Sequence, residues 1–149
     1  MLVRMLYASR AADSVSQDEL LKILSQSKAH NPGNGITGVL CSSGRIFLQA
    51  LEGGRMQVNA LYNHIAADPR HKDVVILSYE EISERKFAGW SMGVVNLERI
   101  NPSLLLKYSE CATLDPYSVS GRASMALFDE LVATASIVGQ ASVSHAAAR

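Results

Sequence analysis

The sequence has no net charge at neutral pH: fourteen basic residues balance fourteen acidic ones. That balance removes the electrostatic case for binding nucleic acid or an anionic membrane surface. Long apolar runs are also missing, and no stretch approaches membrane-spanning length. Cysteine is scarce. Cys41 and Cys111 are the two present, without metal-ligand spacing, and they read as reduced thiols of a cytoplasmic protein. The apolar N-terminus is interrupted by Arg4 and followed by no small-residue cleavage site, which argues against a signal peptide. There is no internal repeat and no glycine-rich phosphate loop.

What is there suits one domain of 149 residues with a real core. Its organising stretch is residues 35–53, GITGVLCSSGRIFLQALEG. Two short apolar runs flank a Ser-Gly cluster at 42–44, a hairpin signal. Alternation places Phe47, Gln49 and Leu51 on one face of the second strand and Ile46, Leu48 and Ala50 on the other. An amide inside an apolar run needs hydrogen-bond partners.

A first strand is expected at 2–8, with Leu2, Arg4 and Leu6 on one face and Val3, Met5 and Tyr7 on the other. Ser16 and Glu19 form a capping box, and Leu20, Ile23, Leu24 and Ser27 follow at helical spacing. Pro32 ends that helix and should push Asn31 to extended geometry. Val58, Leu61, Tyr62 and Ile65 define a second amphipathic helix that Asp68-Pro69 stops. Strands are expected at 74–79 and 91–97, the last at an edge. The order β-α-β-β-α-β plus a fifth strand is α+β, a ferredoxin-like sandwich with both helices on one face of an antiparallel sheet. The other face carries Leu2, Leu6, Ile46, Leu48 and Ala50 and requires a cover. The stripe Leu127, Phe128, Leu131, Val132 and Ala135, with a shorter one at 104–106, is assigned to it or to a partner subunit.

Each candidate site residue has a plain alternative. Gln49 alone reads as a core amide, Tyr7 as packing, Asn31 as a turn former, and Trp90 and Met92 as edge-strand core. His30, His64 and His71 are scattered over different elements, which is poor metal-site spacing, and no metal is expected. Together the residues say more. With the first strand beside the third, Tyr7 and Gln49 face the helix-covered layer. There Ile23, Ser27, Phe47 and Ile65 would wall a slot with a phenol and an amide on its floor, the form of a small-molecule or cofactor site.

Four motifs in order, LYAS around Tyr7, HNPGNGITGVL with Asn31, FLQALEG with Gln49 and WSMG with Trp90 and Met92, resemble the BLUF family of blue-light sensors using FAD. The resemblance covers about residues 1–98, taken as the flavin-binding domain; residues 99–149 are taken as a helical extension that packs on the sheet or mediates oligomerisation. It implies non-covalent FAD between the two helices, although sequence chemistry does not separate FAD from FMN. It implies that Asn31 bonds the polar edge of the flavin ring and that Gln49 bridges Tyr7 and the N5/C4 carbonyl region. Asp68, Arg70 and His71 would lie along the ribityl and phosphate portion, and His30, at a position that varies within the family, is counted among the cofactor-binding residues. Light would move an electron and a proton through Tyr7 and Gln49 as the photoactive pair, rearranging hydrogen bonds, with Trp90 and Met92 passing the change on. The expected protein is a cytoplasmic homo-oligomeric photoreceptor without catalytic turnover, signalling to a downstream effector protein. The rivals are a flavin-dependent enzyme, for which no acid/base beyond Tyr7 is evident, and a ferredoxin-like binding module without flavin.

Overall fold

A computed structural model describes residues 1–13, 16–113, 115–134 and 136–137, with the side chains at 17, 20–21, 24 and 27–28 of the first helix not described. Ser27, Leu20 and Leu24, expected on the buried stripe of that helix, therefore fall outside the described side chains, and Ala135 outside the described residues.

The elements run β1 (Leu2–Ala11), α1 (Gln17–His30), β2 (Thr37–Ser43), β3 (Ile46–Gly54), α2 (Arg55–Ala67), β4 (His71–Ile82), β5 (Gly93–Asn96), α3 (Pro102–Leu106) and α4 (Gly121–Ala133). They form a five-stranded sheet of order β4-β1-β3-β2-β5, the ferredoxin-like arrangement with one strand added. β1 lies between β3 and β4 and pairs antiparallel with both. The added β5 departs from the expected pattern by running parallel to β2.

Local chemistry accounts for most boundaries. Ser16 Oγ accepts from the Glu19 amide at 3.2 Å, so the capping box starts α1. The hairpin reverses one residue later than the Ser cluster suggests, because Ser43 still pairs with Ile46. Gly44 has φ +60°, as the first central position of a two-residue turn requires. β1 and β4 are longer than their apolar runs. Arg10 pairs with Ile46 and Lys72, and Glu80 with Arg4, so ladder bonds extend both strands through charged residues that carry no strand signal.

Asn31 is not extended. Its φ of −60° and ψ of −43° are helical, and it leads into a 3-10 turn at Pro32–Asn34. The reason is that its carbonyl accepts from the Asn34 and Ile36 amides at 3.1 and 2.9 Å, which outweighs the local bias set by the following proline.

Two cores sit on the two sheet faces. One packs Val3, Met5, Tyr7, Leu40, Phe47 and Leu51 with Ile23 of α1 and Val58, Leu61 and Ile65 of α2. The other packs Leu6, Cys41, Leu48 and Ala50 with Leu105 of α3 and Leu127, Phe128 and Leu131 of α4.

Candidate functional site

β1 and β3 put Tyr7 and Gln49 directly opposite each other, both buried and both on the α1/α2 face. The Tyr7 hydroxyl donates to Gln49 Oε1. The Gln49 amide nitrogen donates to Met92 Sδ at 3.0 Å. The buried amide thus has a donor at one end and an acceptor at the other. Burial, reinforced by the nearby Tyr62 hydroxyl, pushes the Tyr7 phenol well above its ordinary pKa. Tyr62 of α2 meets the Tyr7 ring edge-on, centroids 5.8 Å apart.

Above this pair lies a cavity of about 440 Å³ between the helices and the sheet, within the roughly 300–1,000 Å³ range of small-molecule sites. Tyr7, Ile23, His30, Asn31, Phe47, Gln49, Ile65, Asp68, Arg70 and His71 all line it. The structure therefore brings together every described residue expected there. Asn31 is 2 % exposed and donates to the Ser91 carbonyl at 2.9 Å, which ties the end of α1 to the chain entering β5.

At the other end, Asp68 accepts from Arg70 Nε and Nη2 at 3.0 and 2.6 Å and from the Arg70 amide at 2.9 Å. Those bonds hold the Asp68 carboxyl at about 2, the arginine hydrogen bond being the main cause. The same pair raises Arg70. Desolvation lowers His71, Arg70 adds to that, and Asp68 opposes it. The imidazole Nδ1 lies 3.2 Å from Ser9 Oγ, and its ring meets Phe47 edge-on.

Four further lining residues escaped the sequence reading: Gln26, Leu40, Leu61 and His64. Helical spacing contained part of the signal, since Gln26 is three residues from Ile23 and Leu61 four from Ile65. Leu40 needed the hairpin register, which sets it opposite Gln49. His30, His64 and His71 share this cavity, yet no group of three or more His, Cys, Asp or Glu among the described residues is arranged to hold a metal.

Trp90 and Met92 part company. They precede β5 rather than flank it. Met92 belongs with Tyr7 and Gln49, whereas Trp90 packs with the α3/α4 core on the opposite face. Sequence spacing did not separate these roles.

The walls suit a flat heterocycle, with aliphatic and phenyl groups on its faces and amides toward one polar edge. A flavin ring, with carbonyl acceptors and an N–H along one edge, matches this donor set. The family described as sensors of blue light using FAD (BLUF) matches residues 2–93. The photoactivated adenylate cyclase subunit alpha of Euglena gracilis is 38% identical over 86 residues, 58% of this chain and 8% of that protein. The blue light- and temperature-regulated antirepressor BluF of Escherichia coli K12 is 31% identical over 97 residues, 65% of this chain and 24% of that protein. The chain thus spans under a quarter of the length of these curated relatives. The solved structure of BlsA in its photo-activated state superposes with a TM-score of 0.80 at 31% identity, covering 89% of this chain and 95% of that one.

Proposed function

The chain belongs to the BLUF family of blue-light sensors that bind flavin, and from that premise we propose how its own residues make the switch. The observation that carries the reading is the hydrogen-bonded series Tyr7–Gln49–Met92 at the cavity floor. When bound, the flavin supplies the chromophore and the electron-accepting centre. FAD, held non-covalently and mainly by its ring, is the form we assign. Ile23, Phe47 and Ile65, which line the cavity, would hold the ring, Asn31 and Gln49 would serve its polar edge, and Asp68, Arg70 and His71, with His30, would hold the side chain of the cofactor. Arg70 is already neutralised by Asp68, which fits a grip based on the ring rather than on phosphate charge.

Tyr7 is the electron and proton donor. Its raised pKa keeps the hydroxyl protonated until the ring loses an electron, and the bond to Gln49 Oε1 then gives the proton a path. Gln49 is the two-state element. Turning its amide exchanges oxygen and nitrogen. The N–H then meets the Tyr7 oxygen, which can accept, while the amide oxygen meets the Met92 sulfur, which has no proton to donate. The Met92 contact seen here is lost in that state, so one rotation changes what holds the chain before β5.

The signal passes to a partner protein without catalytic turnover, and residues 99–149 act as an extension that carries it or joins copies into a homo-oligomer. No described helix is long and apolar enough to cross a membrane, and we place the protein in the cytoplasm. Absorption spectroscopy tests the reading. The purified protein should be yellow and should shift reversibly to the red under blue light without added reductant. A colourless protein, or a yellow one that only bleaches, would sink it.

A further inference from the structure

The face opposite the cavity holds a charged group of unusual burial. The Glu52 side chain is fully buried and accepts three hydrogen bonds: from Arg4 Nε at 2.7 Å, the Lys86 amide at 2.9 Å and the Phe87 amide at 2.8 Å. Arg4, also buried, faces it across the β1–β3 ladder and reaches Glu80 Oε1 at 2.8 Å with its second arm. A buried ion pair is weak evidence for stability, because apolar replacements often serve as well; its better-attested use is to fix one geometry.

The geometry fixed is that of residues 83–92, the segment between β4 and β5. Glu52 grips it at Lys86 and Phe87. Those same two residues reach α4, through an ion pair from Lys86 Nζ to Asp129 at 2.7 Å and an edge-on contact of Phe87 with Phe128 at 5.8 Å. At its far end the segment presents Met92 to Gln49. Gln49 and Glu52 lie three residues apart on β3 and point to opposite faces. One strand thus holds the segment at two points, with the Gln49 amide at its far end and a triply bonded carboxylate near its middle.

We propose that Arg4 and Glu52 are positioning residues for the switch. They pin the Lys86 and Phe87 amides, so that losing the Gln49–Met92 contact turns the segment about that point and shifts the Lys86 and Phe87 side chains against α4. Without the pin the contact would still break, but the motion would dissipate within the segment. The pin also keeps the Met92 sulfur near Gln49, so it should speed return to the dark arrangement. The inference rests on Gln49 as the two-state element.

The test uses the full-length flavin-bound protein with Glu52→Gln, and with the double variant Arg4→Met/Glu52→Met, which removes both charges together should the single change prevent folding. Three readouts are taken: the flavin red shift, its thermal recovery, and the light-minus-dark hydrogen exchange of α4. Trp90, the single tryptophan, adds a fluorescence report from inside the segment. The expected result is a red shift of normal size, recovery slower by roughly 3- to 30-fold, and loss of the light-dependent exchange difference in α4. Recovery within about twofold of the parent protein with the α4 difference intact would overturn the proposal. So would a flavin-bound variant with no red shift, since the pair would then act on the photochemistry itself. Absence of any shift in the parent protein would instead defeat the reading of Tyr7 and Gln49.

Discussion

The two faces of one sheet are built on different terms. On the α1/α2 face, Tyr7, Gln49 and Asn31 are buried around a cavity; Asn31 is bonded to the Ser91 carbonyl, and Tyr7, Gln49 and Met92 form a line that we propose can exchange its donors and acceptors. On the α3/α4 face, the centre is mainly apolar. Leu6, Leu48, Phe87, Leu127, Phe128 and Leu131 meet with essentially no exposure, and burial pushes the Cys41 thiol well above its usual pKa. The charged pair on that side, Arg4–Glu52, is tied by several charge-assisted bonds. Neighbouring residues of β3 serve both faces, Gln49 in the first and Ala50 in the second. A tightly packed apolar face beneath a polar face that we propose changes state would transmit displacement rather than absorb it.

Removing the exchangeable line should break this contrast most completely. Tyr7→Phe keeps the ring but deletes the donor, and Gln49→Leu keeps approximate size but deletes the amide. Each should give a yellow, flavin-bound protein with no persistent red-shifted state, as read by absorption after a blue pulse. A normal reversible shift in Gln49→Leu would mean that the two faces do not differ in the way described.

The opposite face should respond in stability rather than in colour. Phe128 is fully buried, and Phe128→Ala should destabilise the fold by about 3–5 kcal/mol through lost transfer free energy and a cavity. In the folded fraction, the initial red shift should persist. Denaturant titration gives the first quantity and flash photolysis the second; a stable variant lacking the shift would reverse the assignment of roles.

Acid should discriminate more gently. His71 titrates below its ordinary value in the folded chain, so the unfolded state binds the extra proton, and stability should start to fall as pH drops through about 6.5. Asp68, held at about 2, adds stability that is present above the unfolded value of roughly 3.9 and lost as pH falls toward its folded value. Both lie at the cavity mouth. His71→Asn should therefore flatten the pH dependence of the melting temperature just below about pH 6.5, while substitutions on the α4 face leave that slope alone.

The sequence was most informative where a residue's meaning is local. The capping box at Ser16, the turn at Gly44 and the stripe from Val58 to Ile65 depend on period and turn chemistry, which neighbours in the chain supply. Four motifs sufficed for the family, and with it the expectation that Tyr7, Asn31 and Gln49 serve one site. Only the tertiary structure decided the rest. Asn31 is helical although a proline follows it: the Asn34 and Ile36 amides take its carbonyl, and its side chain is tied to the Ser91 carbonyl, 60 positions away. β4 runs through Lys72 and Glu80 because β1 offers ladder partners there. Trp90 and Met92, two residues apart, serve different faces, which no spacing rule assigns outside a regular strand. Glu52, which no local pattern marks, is buried because Arg4, 48 positions away, and the amides of Lys86 and Phe87 are brought to it. Periodicity reports which side of an element is apolar; partners for a buried charge come from elsewhere in the chain, and folding alone delivers them.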